Sequence, residues 1–444
     1  MQTKFTTNQL KNPGIAEANK ILRNCVHCGF CTATCPTYVL LGDENDSPRG
    51  RIYLIKEMLE KGEPATAEVT KHVDRCLSCL SCMSTCPSGV HYMHLVDQAR
   101  VHIEKTYKRP WMQRALRGLL AAILPYPGRF RLIAGLGRPF KAFSAVLNVF
   151  KPTRSLGAML QLLPKARLAS PQTKRQVHFA SGAREPKGRV ILHPGCAQQV
   201  LRPEINEATI RLLNRLDIEV VVPENLECCG ALVHHMGREA QALTQARKNI
   251  DVWLAETNRY EVDAIISNAS GCGVVVKDYG HMLRLDQKYA DGAAQISSLV
   301  KDISEYLATL ELPKGDLDEQ MNIAYHSACS LQHGQQIKTT PANLLSQAGF
   351  TVKAIPEGHL CCGSAGTYNI LHSGIADRLL ERKLAAIETV QPDIVAAGNI
   401  GCMTQIARKS AVPVVHTVEL LDWATGGPVP TQIRAHGRTA SARS

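Results

Sequence analysis

The segment CVHCGFCTATCP, Cys25–Pro36, decides how the chain begins, and CLSCLSCMSTCP, Cys76–Pro87, repeats its spacing without a change. Both read C-x2-C-x2-C-x3-C-P. Iron is a soft ion that favours thiolate. Three cysteines at intervals of two can wrap three corners of a [4Fe-4S] cubane in one short loop, leaving the fourth corner for a distant cysteine. Zinc also accepts four thiolates, but its sites use two separated pairs and have no use for a third cysteine two residues on. Two such runs predict two [4Fe-4S] clusters and an electron-transfer role.

Around these runs, LKNPGIAEANKILRN and RGRIYLIKEMLEKG carry apolar residues at helical spacing, and no alternating strand pattern separates them. Residues 1–104 are therefore expected to form an α-helical two-cluster ferredoxin domain. In two-cluster ferredoxins the fourth cysteine of each run serves the other cluster. The expected ligand sets are Cys25, Cys28, Cys31 and Cys86 for one cluster, and Cys76, Cys79, Cys82 and Cys35 for the other. Crossed ligation of this kind makes the clusters close neighbours.

The other eight of the sixteen cysteines form two matching sets. Cys196, Cys228-Cys229-Gly230 and Gly271-Cys272 are echoed by Cys329, Cys361-Cys362-Gly363 and Gly401-Cys402, with 32 residues from the first cysteine to the pair in both copies. His193 and His326 stand three residues before the first cysteine, Gln199 and Gln332 three after it. This is a tandem duplication. In each copy short apolar runs alternate with amphipathic helices: RVILHP, IEVVVP and VDAIISN, then MNIAYHS, FTVKAIP, PDIVAAGN and VPVVHT. Such alternation predicts parallel α/β units with the cysteines just past the strand ends, where open sheets bind ligands. The expected boundaries are 186–312 and 313–430, followed by a tail, 431–444. The eight thiols are candidate metal or redox sites, because adjacent cysteines can bridge a cluster or form a reversible disulfide. The two histidines are read as hydrogen-bonding residues at strand ends, with metal ligation as the alternative.

Between head and repeats, residues 105–185 form a basic linker. Sixteen of the 51 Lys and Arg lie from Lys105 to Arg184 with no acidic residue among them, so the net charge of +12 belongs to this segment. WMQRALRGLLAAIL and FKAFSAVLNVF mix cations with apolar residues, as helices at a membrane interface do. Packing against a partner fits equally. Prolines at 125, 127, 139, 152 and 164 should break the segment into short helices. No nucleic-acid motif accompanies the charge, so nucleic acid is not expected as a partner. The N-terminus shows no apolar signal region and no run of 18 apolar residues occurs. The expected location is cytoplasmic, where sixteen cysteines point to metal chemistry rather than disulfides.

CVHCGFCTATCPTY, SPRGRIYLIK, SGCG at Ser270–Gly273 and HLCCGSAGTYNILH together resemble the iron-sulfur subunits of bacterial glycolate oxidases. More broadly, the chain is similar to the iron-sulfur subunits of heterodisulfide reductase, lactate utilisation and anaerobic glycerol-3-phosphate dehydrogenase systems. The resemblance implies two tandem cysteine-rich (CCG) domains after the ferredoxin head, with further iron-sulfur centres in them as an open expectation. It also implies partner subunits that carry FAD and oxidise glycolate to glyoxylate, while this chain passes electrons to a membrane acceptor such as quinone. Attachment would be peripheral, on the cytoplasmic face of the inner membrane. Consistent with flavin elsewhere, the glycines of AGLGRPF follow no strand of a βαβ unit. Equivalent subunits for lactate or glycerol-3-phosphate, or a redox sensor without a catalytic partner, are the alternatives. One departure is visible: the heterodisulfide reductase group closes its fuller Cys-Cys-Gly pattern with Cys-x2-Cys, and here Ala269 and Asn399 take the earlier position.

Overall fold

The computed structural model describes residues 1–144, 147, 154–161, 163, 175–179, 185–315, 317 and 319–436. Its head is helical: α1 (Pro13–Asn24), α2 (Pro48–Lys61), α3 (Ala67–Asp74) and α4 (Tyr92–Thr106) surround a core of Leu22, Ile55, Leu59, Val73, Leu95 and Ile103. Local signals set these boundaries. Asn12 caps α1, Ser47 caps α2 and Thr66 caps α3 through side-chain oxygens, and Gly42 and Gly62 end helices in the left-handed conformation.

The basic stretch continues as α5 (Trp111–Ile123) and α6 (Pro127–Gly137), separated at Pro125, with a 3-10 turn over Arg138–Phe143. Prolines 152 and 164, and the part of FKAFSAVLNVF after Ser144 apart from Leu147, lie outside the described residues. Among the described residues no single helix is long and apolar enough to cross a membrane; α5 and the segment Pro127–Phe143 pass that test only as a pair bent by 116°.

Each repeat is a small α/β unit. The first has strands β1 (Gln176–His178), β2 (Gly188–His193), β3 (Ile218–Val222), β4 (Ala264–Ser267) and β5 (Val300–Asp302), in spatial order β1-β3-β2-β4-β5. All pair in parallel except β1, which runs antiparallel to β3. The second has β6 (Asn322–His326), β7 (Thr351–Ala354), β8 (Ile394–Ala397) and β9 (Val414–His416), in order β7-β6-β8-β9, all parallel. Removing β1 leaves the same order in both, as duplication requires. Neither β1 nor β5 is expected from the sequence: each is three residues long, too short for periodicity to register. The repeats share one apolar core that runs from Val190 and Leu212 to Ile323 and Leu421.

Helices of the first repeat include α7 (Glu204–Arg215), α8 (Glu239–Arg259) and α9 (Ser270–Lys277). Those of the second are α10 (Thr340–Gln347), α11 (Ser373–Glu388), α12 (Ile400–Ile406) and α13 (Thr417–Ala424). Across the joint between repeats, Arg211 and Arg215 of α7 reach the buried carboxylate of Asp422 on α13 at 2.7 and 3.1 Å.

Candidate metal centres

The two cysteine loops of the head share an unusual backbone. His27 and Gly29 in the first, and Ser78 and Leu80 in the second, all have positive φ (56°, 84°, 49° and 63°). For a side chain as large as Leu80 this costs on the order of 1–2 kcal/mol, and it recurs at the same two places in both loops. The chain is being curled so that successive cysteines face inward. A cleft of about 440 Å³, counting its open mouth, is lined by Cys25, Cys28, Cys31, Cys82 and Cys86. The distant Cys86 thus joins the first three cysteines. Loss of water, and then the neighbouring Cys25, push the Cys31 thiol up to about 11, so a metal must displace its proton to bind.

On the other side Cys35 stands with the second run. Burial, then Cys329 and Cys35, raise the Cys79 thiol well above its usual range, and burial, then Cys79, Cys76 and Cys35, raise that of Cys82. A buried ion network braces Cys35. Arg51, on α2, directs Nη1 at its sulfur (3.8 Å), Nη2 at Thr37 Oγ1 (3.0 Å) and Asp46 Oδ1 (3.4 Å), and Nε at the His72 carbonyl (2.7 Å). Asp46, fully buried, also receives Arg75 at 2.6 Å and His72 at 2.9 Å. Burial alone would discharge Arg51, but Cys76, Tyr92, Cys35 and Asp46 keep it cationic. Sequence reasoning missed this role, although Arg51 stands inside the quoted SPRGRIYLIK; a lone arginine on an amphipathic helix carries no sign that it points inward.

In the first repeat, ligand atoms of His193, Cys229 and Cys272 lie within 4.8 Å of one another, and the Cys196 thiol donates to Cys228 Sγ at 3.3 Å. The second repeat copies this with His326, Cys362 and Cys402, while the Cys329 and Cys361 thiols share a hydrogen bond. The structure therefore brings each set of four cysteines together and adds a histidine to each. His193 and His326 are 3% and 1% exposed; neither ring has a nitrogen or oxygen partner, and His193 hydrogen-bonds with the Cys229 thiol. The reading of these residues as ordinary hydrogen-bonding strand-end histidines is corrected: each is a buried imidazole that faces two thiols and has no nitrogen or oxygen partner. An unpaired buried imidazole costs about 1–3 kcal/mol unless something takes its lone pair. A thiolate-rich metal centre fits that set of donors.

The glycine of each Cys-Cys-Gly motif is dictated by geometry. Gly230 and Gly363 have φ of 87° and 88°, and an added Cβ would lie 3.2 Å from the Ala242 carbonyl oxygen or 2.5 Å from that of Ala376. Gln199 and Gln332 each fold back to donate to the loop after the first strand, at 3.0 Å to Gly195 O and 3.0 Å to Ser327 O. The positions without cysteine serve the joint between repeats. Ala269 is buried, and Asn399 accepts from Gly401 N (2.8 Å) while donating to Ser270 Oγ (3.0 Å) and Ser330 Oγ (3.2 Å).

The head touches the second repeat's site directly. Leu77, Cys329, Cys361, Tyr368 and Leu379 form one buried cluster against which Cys79 and Leu40 pack, and Tyr368 Oη donates to Arg75 O at 3.1 Å. Toward the first repeat the head presents α4 instead. There Asp97 meets His234 (3.3 Å) and His235 (3.7 Å), which follow the first Cys-Cys-Gly. Burial opposes the Asp97 charge, but His234 and His235 hold the carboxyl well below its usual range.

Comparisons with known proteins agree with this architecture. Residues 21–90 match a 4Fe-4S dicluster domain, and residues 190–277 and 323–407 each match a cysteine-rich domain designated CCG. A hypothetical protein from Helicobacter pylori shares the fold, with a TM-score of 0.52 at 10% identity over 94% of this chain and 73% of that one. The lactate utilization protein A of Bacillus licheniformis is 24% identical, covering 53% of this chain and 99% of its own length. The probable glycolate oxidase iron-sulfur subunit of Bacillus subtilis is 31% identical over 91% of this chain and 94% of that protein. The glycolate oxidase iron-sulfur subunit of Escherichia coli is 41% identical over 96% and 99%. With two cluster-binding loops in the head, two cysteine-rich α/β repeats behind it and this degree of identity from end to end, the chain belongs to the glycolate oxidase iron-sulfur subunit family.

Proposed function

We propose that this chain is the electron-transfer subunit of a complex that oxidises glycolate to glyoxylate on FAD-bearing partner subunits. The observation that carries this reading is the direct packing of Cys79, from the second cluster loop, against Cys329 and Cys361 of the second repeat. We assign Cys25, Cys28, Cys31 and Cys86 to one cluster and Cys76, Cys79, Cys82 and Cys35 to the other. When bound, the clusters supply one-electron carriers in series. The residues of the chain set the ends of that series. Cys28 is exposed, beside Val26 and Phe30 at 66% and 63% exposure, which suits an entry face for a partner. Cys79 is turned inward to the second repeat.

The onward acceptor is proposed to be a membrane quinone. Trp111, Met112, Leu132, Leu136, Phe140 and Phe143 are exposed along α5, α6 and the following turn, among cations and with no acidic residue. Such a surface suits the headgroup region of an anionic bilayer, and we place it at the cytoplasmic face of the inner membrane. Vesicles containing anionic lipid should co-sediment the complex, and Trp111→Ser with Phe140→Ser should release it; equal sedimentation of both proteins would refute the placement.

Anaerobic mixing of the purified complex with glycolate tests the main reading. Glycolate should reduce the head clusters, seen by electron paramagnetic resonance, faster than L-lactate does. Faster reduction by lactate would favour the lactate reading, for which the kinship to lactate utilization protein A speaks. Purification of the chain without any flavoprotein would instead indicate a redox sensor.

A further inference from the structure

The two cluster loops of the head share a spacing and a backbone, but the groups around their sulfurs differ. The first loop faces solvent. Cys28 is exposed, and Arg49, which lines the same cleft, is 35% exposed and paired with Glu44 at 2.8 Å. The Met1 amino group donates to Cys25 O at 2.5 Å, and the Cys31 sulfur accepts from backbone, at Arg49 and at Cys31 itself. The second loop is met by buried side chains instead. Arg51, 1% exposed, directs Nη1 at Cys35 Sγ (3.8 Å), and Thr37 Oγ1 stands 3.3 Å from the same sulfur. Cys76 Sγ accepts from the Tyr92 hydroxyl at 3.9 Å and from Ser78 N at 3.5 Å. Arg100, also buried, holds this loop from behind through Cys76 O (2.7 Å) and Ser78 Oγ (2.6 Å).

Reduction adds one negative charge to a cluster and its thiolates. Water stabilises that charge at an exposed site, whereas burial withdraws water and by itself makes an inner cluster the harder one to reduce. A buried cation, and hydrogen bonds aimed at sulfur, act in the opposite sense, and they act strongly where little solvent screens them. Asp46 offsets part of the Arg51 charge, but it is shared with Arg75 at 2.6 Å and His72 at 2.9 Å. Two guanidinium groups on one carboxylate leave a net positive charge whichever state His72 takes. Arg49 has no such surplus, because Glu44 answers it one for one in contact with water.

Resting on the ligand sets assigned above, we propose that Arg51 is a positioning residue that sets the direction of electron flow: its buried guanidinium, aided by Thr37 and Tyr92, raises the potential of the second cluster above that of the first. Electrons then enter at the exposed Cys28 and run inward toward Cys79, which packs against the second repeat. In each transfer the first cluster is oxidised by one electron and the second is reduced by one. The electrons come from glycolate oxidised on the partner, and no proton or covalent bond changes hands in the step. Burial alone would reverse this order, so the direction depends on the charge that α2 carries inside the head.

The test is a dithionite redox titration of the anaerobically purified complex, followed by electron paramagnetic resonance. Cys28→Ser and Cys79→Ser, each of which alters or removes the signal of one cluster, assign the two midpoints. In the parent the second cluster should have the higher midpoint, by at least about tenfold in the one-electron equilibrium, about 59 mV. Arg51→Gln should lower that midpoint by about tenfold or more and move the first far less, and Arg51→Lys, which keeps the charge, should recover most of the loss. Tyr92→Phe should lower it by about threefold. Asp46→Asn should raise it, because it removes the compensating anion, and a merely structural role for this network gives no shift of opposite sign. Variants are scored with iron and labile sulfide equal to the parent's; should Arg51→Gln not fold, Asp46→Asn and Tyr92→Phe decide. A parent with fewer than about eight irons would refute the ligand sets themselves. A second-cluster midpoint below the first in the parent, no shift with Arg51→Gln, or a negative shift with Asp46→Asn overturns the role of Arg51.

Discussion

The two repeats hold the same five donors in the same order, yet they face different surroundings, and the difference shows how one duplicated site can acquire two roles. The second site abuts the head: Cys329 and Cys361 share a buried cluster with Leu77 and Cys79. The first meets the head through polar contacts, among them those of Asp97, His94, Glu104 and Glu17 with His234, His235, Asp278, Arg238, His281 and Arg284. Charge diverges as well. Seven residues beyond the alanine that meets each motif glycine stand Asn249 in the first repeat and Lys383 in the second, both buried. Asn249 donates to Cys228 O at 3.1 Å and accepts from Glu227 N at 2.8 Å. Lys383 donates to Glu357 O at 3.0 Å, and although burial lowers its pKa, Cys329, Cys362 and Cys361 favour its charge. A cation held there would favour added electrons on any centre bound at the second repeat, whose cysteines pack against the head.

The largest expected effect separates the repeats by function. Cys362→Ser in the intact complex should slow glycolate-driven reduction of the terminal acceptor by about a hundredfold, about 2.7 kcal/mol in barrier. Cys229→Ser should slow it far less; equal losses would break the asymmetry. Next, Lys383→Asn copies the first repeat's residue into the second. It should shift the midpoint potential of a centre bound there negative by on the order of 100 mV, from about 2–3 kcal/mol of charge interaction at an effective dielectric near 20. Potentiometric titration followed by electron paramagnetic resonance reads this, and an unmoved potential would remove the lysine from the account.

A smaller difference concerns stability. Gly230→Ala and Gly363→Ala both force a side chain into positive φ, at about 1–2 kcal/mol each. Only at Gly363 would the new Cβ also strike backbone at 2.5 Å. The second variant should therefore unfold at lower denaturant than the first under anaerobic conditions, and the reverse order would contradict the packing.

The smallest effect is a pair of opposed pH slopes, because equivalent helix caps differ. Asp302 caps the helix after β5, and burial raises its pKa to about 6; His416 caps α13 after β9, and burial lowers its pKa to about 3. Asp302 binds its proton more tightly when folded. Its contribution is complete below the unfolded carboxyl pKa of about 4 and is lost as pH rises through about 6. His416 binds its proton less tightly when folded. Its contribution is complete above the unfolded value of about 6.5 and falls as pH drops toward 3. Each slope is at most about 1.4 kcal/mol per pH unit. Asp302→Asn should flatten the first and His416→Asn the second in denaturation measured across pH 4–8. Unchanged curves would show that other groups govern both windows.

Much of the organisation was legible because it depends on local or periodic features. Cysteine spacing encodes the loops, proline and capping residues mark the helices, and β2, β3, β4, β6, β7, β8 and β9 lie within short, mostly apolar segments. The short strands β1 and β5 escaped, as did Arg51, whose burial beside Cys35 follows from how α2 lies on α3 rather than from its own neighbours in sequence. His193 and His326 were seen as a pair but assigned ordinary hydrogen bonds. Only the fold shows that their rings meet thiols and no nitrogen or oxygen partner.

The sequence by itself determined the number and spacing of the thiols, the duplication, and the helical or α/β character of each region, because these follow from short-range chain geometry. Tertiary structure decided which thiols meet. It set Cys86 beside Cys25 and Cys79 against Cys361, gave the two repeats unequal neighbours, and assembled Glu17, His94, Asp278 and His281 from segments up to 264 residues apart. Such contacts arise from packing faces against one another, and no local pattern records which faces will touch.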